Sequence, residues 1–363
     1  MDQFRWRSIY RVMLTVGLVV FCLTLLLTCY PAPPNTHRSS AQTLPNTPTG
    51  TNDLFLPVLT KTGALPPNIA GCDVFPADNI WNTPVNSLPV HPNSAAYINR
   101  IGASRGLHAD FGSGVWPPGS NSPIGIPYIN VSGSQPFVPI DFFWWPEESD
   151  PGPYPIPPDA PIEGGPDADG DRHVLVLDRD NCILYELYYA FPEANGSWSA
   201  ANGARYDLNS HSLRPDGWTS ADAAGLPILP GLVRYDEVAA GEIRHAIRFT
   251  APQTQAAHVW PARHHASSLT GTDYPPMGLR LRLRADYDIT GFPPPIQVIL
   301  QAFKTYGLIL ADNGSAWYIS GVPDGRWDND MLHTMDVIRG SDFEVVDVSP
   351  LLIDPNSGQA AQP

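Results

Sequence analysis

"RHVLVLDRDNCILYELYYAF", residues 172–191, decides the fold. Side chains along a strand point alternately to opposite faces, so His173, Leu175 and Leu177 share one side and Val174, Val176 and Asp178 the other. "DRDN" at 178–181 is a turn, and residues 182–191 run back as the partner strand. Both faces of this hairpin are largely apolar. That pattern fits strands buried on two sides, as between the layers of a two-sheet sandwich.

Working outward, the same period of two recurs. Residues 242–250 set Ile243, His245, Ile247 and Phe249 against Arg244, Ala246, Arg248 and Thr250. Residues 278–286 set Leu279, Leu281 and Leu283 against Arg280, Arg282 and Arg284. Segments 306–312 and 316–321 read as a further hairpin about Asn313-Gly314. Helical periodicity is confined to 94–104, 294–306 and 327–340, and "TSAD" at 219–222 has the form of a capping box. With 41 prolines and 30 glycines, turns and short strands are favoured over long helices. The expected fold is mainly β: a single large, jelly-roll-like β-sandwich over residues 71–349 with short peripheral helices.

The flanks read differently. Arg5, Arg7 and Arg11 precede an uncharged apolar run from Met13 to Tyr30, so residues 1–30 are expected to be a signal peptide or an N-terminal membrane or lipid anchor. Residues 31–70, rich in Pro, Thr and Asn, read as a linker, with "LFLPVL" at 54–59 a candidate edge strand. Residues 350–363 read as a flexible tail. Residues 1–41 hold four of the 21 basic and one of the 36 acidic residues, leaving 17 against 35 beyond them, a net charge of −18. Such a chain repels nucleic acid and anionic lipid, which excludes a nucleic-acid role and leaves membrane association to the N-terminal segment. Cys72 and Cys182, the two cysteines beyond the apolar run, are expected to form a disulfide outside the cytoplasm, with two buried thiols as the alternative.

"CDVFPADNIWN" (72–82), "GDRHVLVLDRDNC" (170–182), "WTSADAAGLPILPGLVRYDE" (218–237) and "YGLILADNGSAWYISG" (306–321) resemble a group of exported bacterial proteins of no assigned activity. The resemblance implies a domain that is secreted or anchored on the outer face of the bacterial cell membrane. It implies no catalytic residues.

The chemistry must come from the side chains. No H-E-x-x-H, C-x-x-C, G-x-S-x-G or phosphate-loop pattern occurs. Glu163, in "APIEGG", and Glu186, in "LYELYY", sit among apolar neighbours, where lost hydration raises a carboxyl pKa and suits an acid catalyst. They form the expected pair of a glycoside hydrolase. Asp222 and Asp312, at element ends, are expected to cap backbone. A polysaccharide lyase would instead draw on His173, His245 and Tyr188, with arginine neutralising a uronate. Six arginines and a single acid, Asp273, lie between residues 244 and 284, so Arg248 and Arg282 are candidates for binding an acidic glycan. "VWPARHHASS" (259–268) reads as the edge of a cleft, offering Trp260, Arg263 and His264 to a substrate. Asp167, Asp169 and Asp171 alternate as calcium ligands do, although Arg172 stands where the calcium loop requires Gly; calcium is thus the one candidate cofactor. The expected function is an extracellular carbohydrate-active enzyme, hydrolase or lyase, acting on a polysaccharide. A non-catalytic carbohydrate-binding or cell-surface module is the alternative.

Overall fold

The strands Val174–Asp178 and Ile183–Tyr188 pair antiparallel, from Val174↔Leu187 to Asp178↔Ile183. Asp178 closes the turn between them by accepting hydrogen bonds from the amides of Asp180 and Asn181. The computed structural model describes residues 65–362. The proposed targeting segment, most of the linker and the candidate strand at 54–59 lie outside the described residues.

This hairpin is the centre of a four-stranded sheet, completed by Asn202–Asp207 on one side and Tyr128–Val131 on the other. As its alternation requires, the two faces enter different cores. Leu175, Leu177 and Leu184 join the main core, while Val174, Val176, Tyr185 and Leu187 pack with Trp198, Ala200 and Tyr154 in a second. Trp198 and Ala200 belong to a three-stranded sheet of Ile140–Phe142, Trp198–Ala200 and Phe191–Pro192. The main core is shared with a six-stranded sheet in the spatial order Phe343–Val345, Arg280–Leu283, Leu308–Asn313, Ile247–Ala251, Tyr318–Ser320, His108–Asp110. There Trp317 lies stacked between Phe249 and Phe343, with ring centroids 5.6 and 5.2 Å away. Each such aromatic pair adds about 0.5–1.5 kcal/mol beyond the area it buries.

The protein is thus β-rich, with several sheets and few short helices. Its strand pairing departs from a jelly roll, whose neighbours are antiparallel. Ile247–Ala251 runs parallel to Leu308–Asn313, and Tyr318–Ser320, Tyr128–Val131 and Ile140–Phe142 each have a parallel neighbour as well. The expected hairpin about Asn313-Gly314 does not close, because Ile247–Ala251 lies between its two strands. The helices Ser94–Ile101 and Pro294–Thr305 form where expected, whereas 327–340 yields only Asn329–His333 and a 3-10 turn, Thr334–Val337. "TSAD" opens no helix: Ser220 Oγ accepts from the Asp222 amide, and the Asp222 carboxylate turns to Arg248.

Both domain limits move outward. Asn68–Ile69 already pairs with Cys72–Asp73, inside the expected linker. Residues 350–363 read as a flexible tail in the sequence, but residues 350–361 strap across the domain. The Gly358 carbonyl accepts from the Ile80 amide at 2.8 Å, and the amides of Gly358 and Ala360 donate to the His211 and Asp78 carbonyls at 2.6 and 2.8 Å. A Cys72–Cys182 disulfide ties the start of the domain to the end of the hairpin turn. Among the described residues, no helix is long and apolar enough to cross a membrane.

Candidate functional site

Where the central hairpin meets the six-stranded sheet, charged side chains are drawn inward. Glu163 precedes a tight turn at Gly164 and Gly165. Gly165 has φ of +88°, and a Cβ there would meet the Asn121 carbonyl oxygen at 2.3 Å, so only glycine lets this loop dock. The docked loop brings Glu163 Oε2 to 2.5 Å from His173 Nδ1. His173 Nε2 lies 2.9 Å from the Ala221 carbonyl oxygen, which can only accept, so Nε2 carries a proton. With an ionised Glu163 on the other side, both ring nitrogens donate and His173 is a buried imidazolium. Burial opposes that charge, but the charge and hydrogen bond of Glu163 outweigh it and raise His173 to about 9. The same contact overcomes the effect of burial on Glu163 and lowers it.

Beside this pair, Arg248 reaches across from the six-stranded sheet. Its Nε and Nη2 donate to the two oxygens of Asp222 at 3.1 Å each, and Nη1 donates to Ser320 Oγ at 2.6 Å. Asp312 Oδ2 lies 3.8 Å from the same guanidinium. Burial, together with the charge of Asp222, pushes Asp312 up to about 8. Burial likewise raises the Tyr188 phenol to about 12, with Asp171, Asp312 and Glu163 adding to the shift. Most of the cluster is sealed. Glu163 and Asp312 are partly exposed, at 25% and 22% of their side chains, and of the two only Glu163 lines a cavity among those described.

Glu163 opens onto a cavity of about 590 Å³, lined also by His108, Asp110, Trp116, Tyr318 and His333. His173 also borders a cluster of aromatic rings. Tyr188 is 5.7 Å from the His173 ring and 6.3 Å from Trp145, and Trp144 stacks on Tyr189 at 5.1 Å with their planes 8° apart. Trp116, Trp144 and Trp145 are 68%, 52% and 40% exposed.

Several other expected site residues are structural. Glu186 is fully buried, and its carboxylate accepts from the amides of Ile228 and Leu229 at 2.9–3.0 Å, at the start of the 3-10 turn Leu229–Gly231. Burial raises it to about 7 against those hydrogen bonds, and it faces no cavity among those described. His245 is also fully buried, between Glu237 and the Ala246 carbonyl. The arginine stripe does not form a ligand face, because Leu308–Asn313 separates the two strands. Arg248 turns inward to Asp222, and Arg282 pairs with Glu344 and donates to the carbonyls of Val85 and Leu88. "VWPARHHASS" lies under the strap: Trp260 Nε1 donates to the Ser357 carbonyl, and Arg263 to the Pro355 carbonyl and Asn356. His264 Nδ1 bonds the Ala223 carbonyl at 2.8 Å.

The calcium reading fails on a charge argument. Arg172 donates through Nη1 to the carbonyls of Pro166 and Ala168, placing a cation inside the loop that Asp167, Asp169 and Asp171 were expected to wrap around an ion. Only Asp171 turns toward other ligating groups, namely Glu163 and His173, and both nitrogens of His173 are already donors.

Sequence reasoning missed Asp110 and the trio His108, His333 and Asp336. Asp110 and His108 belong to a three-residue edge strand too short for a visible period. The H-x-x-D spacing of His333 and Asp336 on one helical turn was the available signal. Comparison with protein-family models, curated proteins and solved structures finds no match, so these side chains alone carry the functional reading.

Proposed function

We propose that the protein is an exported carbohydrate-active enzyme that hydrolyses a polysaccharide, with Glu163 and Asp312 as its reacting carboxyl groups and Trp116, Trp144 and Trp145 as stacking surfaces for the sugar chain. The observation that carries this reading is that two carboxyl groups open from one buried charge cluster in opposite electrostatic settings. Glu163 faces an imidazolium, and Asp312 is crowded by a second carboxylate. Glycoside hydrolysis needs one carboxylate and one carboxylic acid at the same pH, and environments that push two such groups apart supply them. Glu163 stays ionised as nucleophile or base, while Asp312 holds its proton near neutrality and donates it to the leaving oxygen. Exposed indoles suit a sugar ring, which is apolar on its C–H faces and wet at its edges. The Cys72–Cys182 disulfide supports a location outside the cytoplasm. Hydrolysis of a neutral glycan is favoured over elimination from a uronate, because Arg248 and Arg282 are already engaged within the protein.

The exposed aromatic surface also suits the second reading, a binding module without catalysis. One experiment separates the two. The full chain, Glu163→Gln and Asp312→Asn are incubated with a panel of neutral and uronic-acid polysaccharides. Reducing ends, unsaturated ends and binding are measured on each. General acid–base catalysis contributes about 10²–10⁴-fold, so each variant is expected to lose at least about 100-fold in reducing-end release while retaining binding. Binding without release by the wild type establishes the module instead. Unsaturated ends from a uronic-acid polymer establish a lyase.

A further inference from the structure

At the cavity wall, His108 Nδ1 lies 4.0 Å from Asp336 Oδ1, and His333 Nδ1 lies 3.3 Å from Asp336 Oδ2. Ligand atoms of all three residues fall within 4.8 Å of one another. Asp336 Oδ1 is shielded from solvent and has no hydrogen-bond partner, since 4.0 Å is too long for a bond from His108. The Asp336 side chain as a whole is 47% exposed, so the cost falls on this one shielded oxygen, left without a donor. Two parts of the fold supply the three residues. His108 is on the sheet edge, its ring 4.4 Å from that of Tyr318, and His333 ends the helix Asn329–His333. Asp336 lies on the 3-10 turn that follows.

The structure assigns to His108, His333 and Asp336 a binding site for a divalent transition-metal ion of the zinc type. Two imidazole nitrogens and one carboxylate form a borderline-soft donor set, which suits zinc and its first-row neighbours; calcium and magnesium prefer oxygen ligands. A tetrahedral ion with bonds of about 2.0–2.1 Å holds its ligand atoms roughly 3.3 Å apart. His333 meets Asp336 Oδ2 at a separation that already matches, and His108 faces the other oxygen, Oδ1, at 4.0 Å; since the ligand atoms of the three residues lie within 4.8 Å of one another, a single ion requires the side chains to close by up to about 1.5 Å. An ion between His108 and Asp336 would satisfy the stranded Oδ1. Three protein ligands leave a coordination position free, and because His108 and His333 both line the 590 Å³ cavity, that position opens into it. A ligand oxygen or a water can therefore reach the ion. This assignment does not depend on the polysaccharide reading, since it rests on different residues and is read without activity.

The test uses the chelator-stripped full chain. Zn²⁺, Ca²⁺ and Mg²⁺ are titrated separately by calorimetry, and Co²⁺ is added as a visible-absorbance reporter of coordination geometry. Expected are a single equivalent of Zn²⁺ that survives gel filtration, an intense four-coordinate Co²⁺ spectrum, and no comparable uptake of Ca²⁺ or Mg²⁺. Loss of even an outer-shell partner costs about 10–100-fold in metal affinity, so His333→Ala and Asp336→Asn should each lose at least that. His333 is exposed, so His333→Ala keeps the fold, which an unchanged metal-free unfolding midpoint verifies. Asp171→Asn, in the other cluster of ligating side chains, should bind Zn²⁺ as the wild type does. The assignment is overturned if Zn²⁺ is not retained, if His333→Ala retains it unchanged, or if Asp171→Asn abolishes binding.

Discussion

Arg248 meets Asp222 side-on, Nε to Oδ2 and Nη2 to Oδ1, both at 3.1 Å, with 4% and 0% of the two side chains exposed. The pair joins the loop after residue 219 to the strand Ile247–Ala251. Removing one partner strands a buried charge, which costs about 3–5 kcal/mol, whereas removing both costs less. Arg248→Ala should therefore be more destabilised in urea than Arg248→Ala combined with Asp222→Ala. If the double variant is the weaker of the two, the pair is not the source of the loss.

The Glu163–His173 contact makes stability depend on pH with a definite sign. His173 is raised in the folded chain from 6.5 to about 9, so its contribution is whole below pH 6.5 and fades as pH rises through about 9. Glu163 is lowered from 4.5, so its contribution is whole above pH 4.5 and is lost as pH falls through its folded value. These are two sides of one interaction and count once. Between pH 6.5 and 9 the wild type should lose up to about 3 kcal/mol from this source, the equivalent of the shift in His173. Asp312 and Glu186, both raised, slope the same way and remain in any variant of the pair. Glu163→Gln should thus show a flatter profile over this window by equilibrium unfolding. Parallel profiles would refute a charged His173.

The Cys72–Cys182 link closes a loop of 110 residues. Chain-entropy models put such a crosslink at about 4.7 kcal/mol as an upper figure, and losses of about 2–5 kcal/mol are usual when a native disulfide is removed. Replacing both cysteines with serine should lower the unfolding free energy by an amount in that range and steepen the denaturant slope, because the uncrosslinked unfolded chain exposes more surface. Two free thiols in the wild type on non-reducing mass mapping would remove the basis of the expectation.

Because Arg172 fills the 166–171 loop, calcium has nothing to add there. Neither millimolar Ca²⁺ nor a calcium-selective chelator should move the thermal midpoint, as read by differential scanning fluorimetry. A rise with calcium that disappears in Asp169→Asn would restore the calcium loop.

The alternation at 172–191 foretold a hairpin buried on both faces, because a period of two records burial directly. What the period cannot record is the order of strands in a sheet. Residues 306–321 look like one hairpin, yet a strand from sixty residues earlier lies between its halves. The arginines at 248 and 282 misled for a related reason. A polar position on a half-buried strand looks the same whether it faces solvent or a partner contributed by a distant loop. Glu163 and His173 were legible as candidates, but the contact that makes one a carboxylate and the other an imidazolium was not. It depends on the Gly164–Gly165 turn, which docks Glu163 against its partner. Asp336 was silent because its interest lies in a missing hydrogen bond, which only coordinates reveal.

The strap sets an order of events during synthesis. Gln359 bonds to Asp78 across 281 residues, and the Ile80 amide waits for the Gly358 carbonyl. The ribosome makes residues 78–80 early and 358–360 almost a whole domain later. In the interval, the Ile80 amide lacks its acceptor, and Trp260 and Arg263 lack those that Ser357 and Pro355 provide. A chain stalled or clipped before Pro355 carries all the described strands but leaves Asp78 and Ile80 without their partners. The contacts of residues 355–360 are thus among the last this domain acquires, and until they dock the domain is open to proteases along that edge.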